Sequence, residues 1–185
     1  MLDDDQGLGA EQDRVRRLRA GDHRAFEAIF LDYCQPLVAF AHRIVMDQPV
    51  AENIVQDVFL RIWQNRDRLD PMGSLKSYLY TAVKNQALNH LRHSHVEERD
   101  PPDDNIEDDL AETPETIWSR RELVSAIHSA LEELPRNCRT IFTMHRYDCL
   151  TYSEIANILD LSIKTVGTQM GRALKKLRRS LGHLI

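Results

Sequence analysis

The sequence predicts an all-α protein of two small helical domains, joined by an acidic flexible linker, with a helix-turn-helix in the second domain. Three observations predict this. Apolar residues recur at three- and four-residue spacing along most of the chain, and no strand-like alternation of useful length occurs. The 7 glycines and 7 prolines of the 185 residues are scarce and fall where helices should end. One stretch, 94–113, is highly charged and aperiodic, with Pro101 and Pro102 side by side. It cannot bury enough apolar surface to offset the entropy of ordering. The expected organisation is therefore an acidic tail over 1–13, a first domain over 14–93, a linker over 94–113 and a second domain over 114–185.

Composition excludes several classes. Hydrophobic residues make up 42% and charged residues 29%, as in ordinary soluble proteins. No apolar run approaches a membrane span. The opening MLDDDQGLGAEQ is acidic and polar, unlike a secretory or transit leader, so a cytoplasmic protein without its own membrane insertion is expected. Cys34, Cys138 and Cys149 have no CxxC spacing and read as reduced, mostly buried thiols.

The net charge of −5 argues at face value against a nucleic-acid partner. The average hides a segregation. Residues 1–13 carry five acids and no Lys or Arg, and residues 94–118 carry ten acids and only Arg99. What remains is a balance of +9, and residues 161–185 hold six cations and no acid. Two basic blocks tied by an acidic strap fit a polyanion partner, although solvated basic helix faces account for the charge alone equally well.

In the first domain, a short basic helix is expected from Glu11 to Ala20, stopped by Gly21. Asp22 reads as the N-cap of a long helix through Phe26, Ile29, Phe30, Tyr33, Leu37, Phe40 and Ile44. Pro36 should kink or split it. The next helix opens at Pro49, a good first-turn residue. Ala51, Ile54, Val55, Val58, Phe59 and Ile62 form its apolar face, and Glu52, Gln56, Asp57 and Arg61 the remaining surface. After the punctuated loop 67–74, a helix from Ser74 to about Arg92 has Leu75, Tyr78, Leu79, Ala82, Val83 and Leu91 as its apolar stripe.

In the second domain, Ile117, Leu123, Ile127, Ala130 and Leu134 give one helix, ended by Pro135. Cys138, Ile141, Phe142 and His145 give another. The strongest local signal follows. Thr151 with Glu154 forms a capping box before the short helix TYSEIANIL. The turn DLS leads to a helix from Ile163 to about Leu181, capped by Ser162. Ile155, Ala156, Leu159, Leu161 and Val166 have helix-turn-helix core spacing, and the second helix of such a unit enters the major groove. Lys164, Thr165, Thr168, Gln169 and Arg172 should project from its first turns toward bases or phosphates, with Lys175, Lys176, Arg178 and Arg179 continuing along the backbone.

With both blocks read, the chain resembles a bacterial extracytoplasmic-function (ECF) RNA polymerase sigma factor. The resemblance rests on AENIVQDVFLRIWQ (51–64), SLKSYLYTAVKNQALNHLR (74–92), ALEELPRNCRTIFTMHRYDCLTYSEIANILDLSIKTV (130–166) and RALKKLRR (172–179), in that order. It implies a factor that binds core RNA polymerase and directs promoter recognition, melting and initiation, often held in check by an anti-sigma protein. By position, Glu52, Gln56, Asp57 and Arg61 would contact the polymerase clamp, with Trp63 as a packing anchor. Lys76, Lys84 and Arg92 would hold phosphates of the single-stranded downstream element, and Asn85 and Asn89 would bond base edges. Tyr78 and Tyr80 are the available aromatics, with Tyr80 taken as the site residue and Tyr78 suiting the core equally well. The loop Asp67–Gly73 would line the pocket for a flipped base. The duplex upstream element would meet Ser162, Lys164, Thr165, Thr168, Gln169, Arg172, Lys175 and Lys176.

Two departures from the family pattern stand out. Asp160 occupies a turn position where glycine is usual, and Gly167, Thr168 and Gln169 stand where the family often has a Lys-Ser-Arg run. Arg172, Lys175 and Lys176 should then carry more of the phosphate anchoring. The acidic linker would thread toward the polymerase cleft, although a solubilising spacer reads equally well from sequence.

No Walker A loop, GxGxxG, HExxH or GxSxG occurs, so no enzyme activity and no cofactor are expected. His90, His93 and His95 lie close together but lack ligand-spaced partners, so no metal is expected. The alternative is a helix-turn-helix regulator acting without replacing a sigma factor.

Overall fold

The computed structural model describes residues 3–94 and 125–182. The linker from residue 95 onward, with Ile117 and Leu123, lies outside the described residues. All regular structure described is helical. The chain divides into two compact units, Met1–Pro102 and Asp103–Ile185.

The first unit holds α1 (Asp3–Arg19), α2 (His23–Val45), α3 (Gln48–Gln64), a 3₁₀ turn (Arg66–Arg68) and α4 (Leu75–Ser94). Helix α2 is central and packs on α1, α3 and α4. Helix α1 begins eight residues before the expected Glu11 start. Arg16, Arg17 and Arg19 in its last turn match the helix dipole at that end. Asp22 caps α2 as expected, its carboxylate accepting from the N–H groups of Arg24 and Ala25. Pro36 does not split α2. It is exposed, so the carbonyl it leaves without a donor faces water, while Ile29, Leu37 and Phe40 on either side are locked in the core.

Helix α3 starts one residue earlier than expected, at Gln48, because Asp47 caps it by accepting from the Val50 N–H at 3.0 Å. Its buried residues are Ala51, Ile54, Val55, Val58, Phe59 and Ile62, the predicted face. Leu75, Leu79, Tyr80, Val83 and Ala87 line the buried side of α4. Each fully buried Leu or Ile contributes roughly 1.5–3 kcal/mol, so a core of this size holds the four helices without a disulfide.

The second unit holds helical backbone over 125–132 (α5), α6 (Arg136–Arg146), α7 (Tyr152–Leu159) and α8 (Ile163–Leu181). Pro135 sits at the α5–α6 junction, as the sequence implies. Ala130, Leu134, Cys138, Ala173 and Leu177 form one buried cluster. Ile141, Met144, Leu150, Ile155, Ala156, Ile158, Val166 and Met170 extend the core beneath α7 and α8. Two expectations differ: Leu161 is exposed rather than buried, and His145 is exposed, with its Nδ1 at 2.8 Å from the Leu150 carbonyl.

Candidate functional site

The outward face of α3 carries Glu52, Asn53, Gln56, Asp57, Leu60, Arg61 and Gln64, all exposed. The helix is built from two unlike faces, the apolar one buried inside its own domain and the polar one exposed. Gln48 donates to Glu52 Oε1 at 2.8 Å, and Arg61 Nη1 donates to Gln86 Oε1 on α4 at 3.1 Å. Leu60 is the residue that polarity patterning missed. At 54% exposed, it is a large apolar side chain in the middle of a polar face, with Gln56, Asp57 and Gln64 beside it on the helix. Its signal in the sequence was its departure from the apolar stripe.

Trp63, expected as a packing anchor, is half-buried and makes its ring contacts within the first unit. Its ring lies 4.5 Å from His23 and 5.2 Å from Phe26, and the Arg66 guanidinium sits 4.6 Å over it. The residue lies at the end of α3, where its packing partners come from the start of α2 and from the 3₁₀ turn.

The loop before α4 is organised by Asp70. Its carboxylate accepts from the Met72 N–H at 2.9 Å, and its carbonyl accepts from the Gly73 N–H at 3.3 Å. Leu69 is buried and anchors the loop, while Met72 stands out at its tip. Ser74 Oγ accepts from the Ser77 N–H at 3.1 Å and starts α4. Glu11 of α1 adds a second cap, its carboxylate accepting from the Lys76 N–H at 3.2 Å. Sequence reasoning placed Glu11 in a tail and had no local signal for this contact, which spans 65 residues.

Along α4, Asn85, Asn89 and Arg92 are exposed, and Lys76 and Lys84 are half-buried. Arg92 Nη1 lies 3.4 Å from Asn89 Oδ1, so these two act as one polar patch. Tyr80 is a correction. It is 1% exposed, its ring edge-on to Phe40 at 5.0 Å, and cannot stack on a base. Tyr78 is 49% exposed and is the aromatic that the α4 surface offers. Two residues of helix rotation, about 200°, separate core from surface here. The stripe Leu79, Val83 and Ala87 is continued by Tyr80 rather than by Tyr78.

In the second unit, Thr151 Oγ1 accepts from the Glu154 N–H at 3.2 Å while Glu154 accepts from the Thr151 N–H at 2.8 Å, completing the capping box. Asp160 adopts the left-handed conformation, with φ 56°, and the Leu161 N–H returns to the Ala156 carbonyl at 2.9 Å. Aspartate thus does the work of the usual turn glycine. Ser162 Oγ accepts from the Thr165 N–H at 3.0 Å and lies 2.8 Å from Thr165 Oγ1, so these two hydroxyls are engaged in starting α8.

Lys164, Thr168, Arg172 and Lys175 are exposed on α8. The Thr168 hydroxyl donates to the Lys164 carbonyl at 2.9 Å, leaving its lone pairs as outward acceptors. Two expected residues are engaged by neighbours within the second unit. Lys176 reaches back to the Glu133 carbonyl and, at 4.0 Å, to the Glu133 carboxylate. Gln169 is half-buried and accepts from the Cys138 thiol at 3.0 Å. Gly171 has nothing within 4 Å of an added Cβ, so the exposed side of α8 is bare at that point.

Cys34, at the α2–α3 contact, has its thiol pKa pushed up by burial and by the nearby Glu52 charge, which keeps it protonated. Among the described residues, no group of three His, Cys, Asp or Glu could hold a metal ion, and His95 lies outside them. No described helix is long and apolar enough to cross a membrane.

Comparison with known proteins brings these surfaces together. Residues 29–95 match sigma-70 region 2, and residues 125–177 match sigma-70, region 4, so the two models jointly span well over half of the chain. The RNA polymerase sigma-H factor of Pseudomonas aeruginosa is 28% identical, with 96% of this chain and 98% of that protein aligned. The ECF RNA polymerase sigma factor SigK of Mycolicibacterium vanbaalenii is 29% identical over 91% of this chain and 87% of its own length. The ECF RNA polymerase sigma-E factor of Escherichia coli K12 is 26% identical over 95% and 96%. CnrH, solved in complex with the cytosolic domain of CnrY, shares the fold with a TM-score of 0.65 at 21% identity, covering 94% of this chain and 98% of that one. The sigma factor RpoE of Bartonella quintana, solved with the anti-sigma factor NepR, has a TM-score of 0.64 at 20% identity, covering 85% and 96%. With region 2 and region 4 in this order and relatives aligned along nearly its whole length, the chain belongs to the ECF RNA polymerase sigma factors and serves transcription initiation.

Proposed function

We propose that residues 14–93 hold core RNA polymerase through the outward face of α3 and capture the opened minus-ten element along α4. Residues 114–185 read the minus-thirty-five element as duplex through α8. The observation that carries this reading is one chain with two exposed surfaces of different kind. Glu52, Gln56, Asp57, Leu60 and Arg61 offer a partner helix both charge and one apolar contact. Lys164, Thr168, Arg172 and Lys175 offer phosphates and base edges an acid-free helix, capped at its start. On α4, Tyr78 takes the stacking role first given to Tyr80, beside Lys84, Asn85, Asn89 and Arg92.

The chain contributes binding surfaces and polymerase does the chemistry, so no catalytic residue is assigned. Its place of action is the cytoplasm, where polymerase and promoters are. The likeness to CnrH and RpoE, each solved with a partner, supports an anti-sigma protein as a further partner here. Acidic charge in 94–113 suits a basic polymerase channel.

The test is reconstitution with core polymerase. A stable complex is expected, and Leu60→Glu should weaken it about tenfold or more, as truncating or reversing a central interface contact does. The complex should open a supercoiled promoter, and Arg172→Ala should weaken upstream-element binding. A chain that binds promoter duplex but never joins core polymerase would instead be a regulator, and the reading would be wrong.

A further inference from the structure

Gln169 sits on the shoulder of α8, between the buried Val166 and Met170 and the exposed Arg172. Its side chain is not free to choose an orientation. Cys138, 2% exposed on α6, donates its thiol hydrogen to Gln169 Oε1 at 3.0 Å. Cys138 itself is held in the cluster with Ala130, Leu134, Ala173 and Leu177, so the anchor does not move. A thiol has one hydrogen to donate and sulfur is a weak acceptor. The amide oxygen therefore belongs on the thiol side, and the amide nitrogen, with its two hydrogens, on the other. Glutamine recognises adenine by presenting both ends side by side, the nitrogen donating to N7 and the oxygen accepting from the N6 amine. An inward oxygen removes half of that pattern and leaves a donor.

We propose that Cys138 is a positioning residue that makes Gln169 a donor-only reader, selecting guanine or thymine, whose polar major-groove atoms only accept, over adenine, whose N7 acceptor stands beside a donor amine. The proposal rests on the reading that α8 enters the major groove of the upstream element.

The experiment uses the full chain with core polymerase, selecting from a duplex library randomised across the upstream element. Wild type should show one position enriched in guanine or thymine, and Gln169→Ala should lose that enrichment. Cys138→Ser keeps a donor against the amide and should keep the wild-type preference. Cys138→Ala frees the amide, and adenine should rise at that position by about fivefold or more, the lower end for a bidentate pair. Thermal unfolding of the same variants separates this from packing. Both substitutions lower the melting temperature, and only Cys138→Ala changes the base selected.

An unchanged profile in Cys138→Ala, equal shifts in the Ser and Ala variants, or an unchanged profile in Gln169→Ala would overturn the proposal. If Lys164→Ala and Arg172→Ala leave upstream selection intact, the groove reading fails and the proposal with it. If those two weaken selection while Cys138→Ala does nothing, the proposal alone fails.

Discussion

The Asp22 carboxylate accepts from Arg17 Nε at 2.9 Å and from the backbone N–H groups of Arg24 and Ala25 at 2.8 and 3.3 Å. The Arg17 hydrogen bond, then the backbone donors, hold its pKa below the ordinary carboxylate value. A lowered folded-state pKa stabilises the fold above the unfolded pKa, and that contribution is lost as pH falls through the folded value. Asparagine caps as well as aspartate but does not titrate. Asp22→Asn should therefore remove part of the acid dependence of the melting temperature below about pH 4, which a pH series of thermal melts would show. Residue-scale argument also separates the two tyrosines of α4. Tyr80→Ala should cost about 3–5 kcal/mol in urea unfolding, as expected for a buried aromatic against Phe40. Tyr78→Ala should stay within about 0.5 kcal/mol of wild type and instead reduce promoter opening in a permanganate footprint. Sequence could not rank these neighbours. Both fit an amphipathic helix, and a long-range partner, Phe40 of α2, decides which one turns inward.

At the scale of elements, what was legible follows from how local the physics is. Caps are local, so Asp22, Thr151 with Glu154, and Ser162 were readable from a few residues, as was the buried face of α3. The continuity of α2 through Pro36 and the Glu11 cap on α4 were not. Each depends on packing or charge supplied from elsewhere in the first unit. Two predictions belong here. Thr151→Ala removes the side-chain acceptor of the α7 capping box and should destabilise the second unit by about 1 kcal/mol. Gly171→Ala should do the reverse. An added Cβ meets nothing within 4 Å, so alanine's higher helix propensity should raise stability by about 0.5–1 kcal/mol. Chemical denaturation of each single variant checks both signs. A loss of stability in Gly171→Ala would mean that the α8 backbone departs from ordinary helix at that point.

For the whole molecule, the net charge of −5 is a poor guide to partners, because its components are separated along the chain. In physiological salt, a charge is felt over about 8 Å, so a phosphate at α8 would meet the cations of that helix rather than the average of the protein. The acids of the linker are a separate device. Asp103, Asp104, Glu107, Asp108 and Asp109 lie between the two sigma regions, outside both. Replacing them with Asn and Gln would bring the chain from −5 to neutral without touching either region. If the linker only keeps the chain soluble, every nucleic-acid contact should strengthen slightly and together, as expected when a long-range repulsion is lifted. If it occupies a basic polymerase channel, the change should be selective. The neutralised chain should bind upstream duplex with nearly wild-type affinity at 0.15 M salt, where screening already isolates α8. Its holoenzyme should differ from wild type in the yield and length of abortive RNAs, because those products compete with the linker for the channel. Measuring both quantities on one preparation separates the two, and parallel changes in binding and abortive yield would assign the acids to solubility alone.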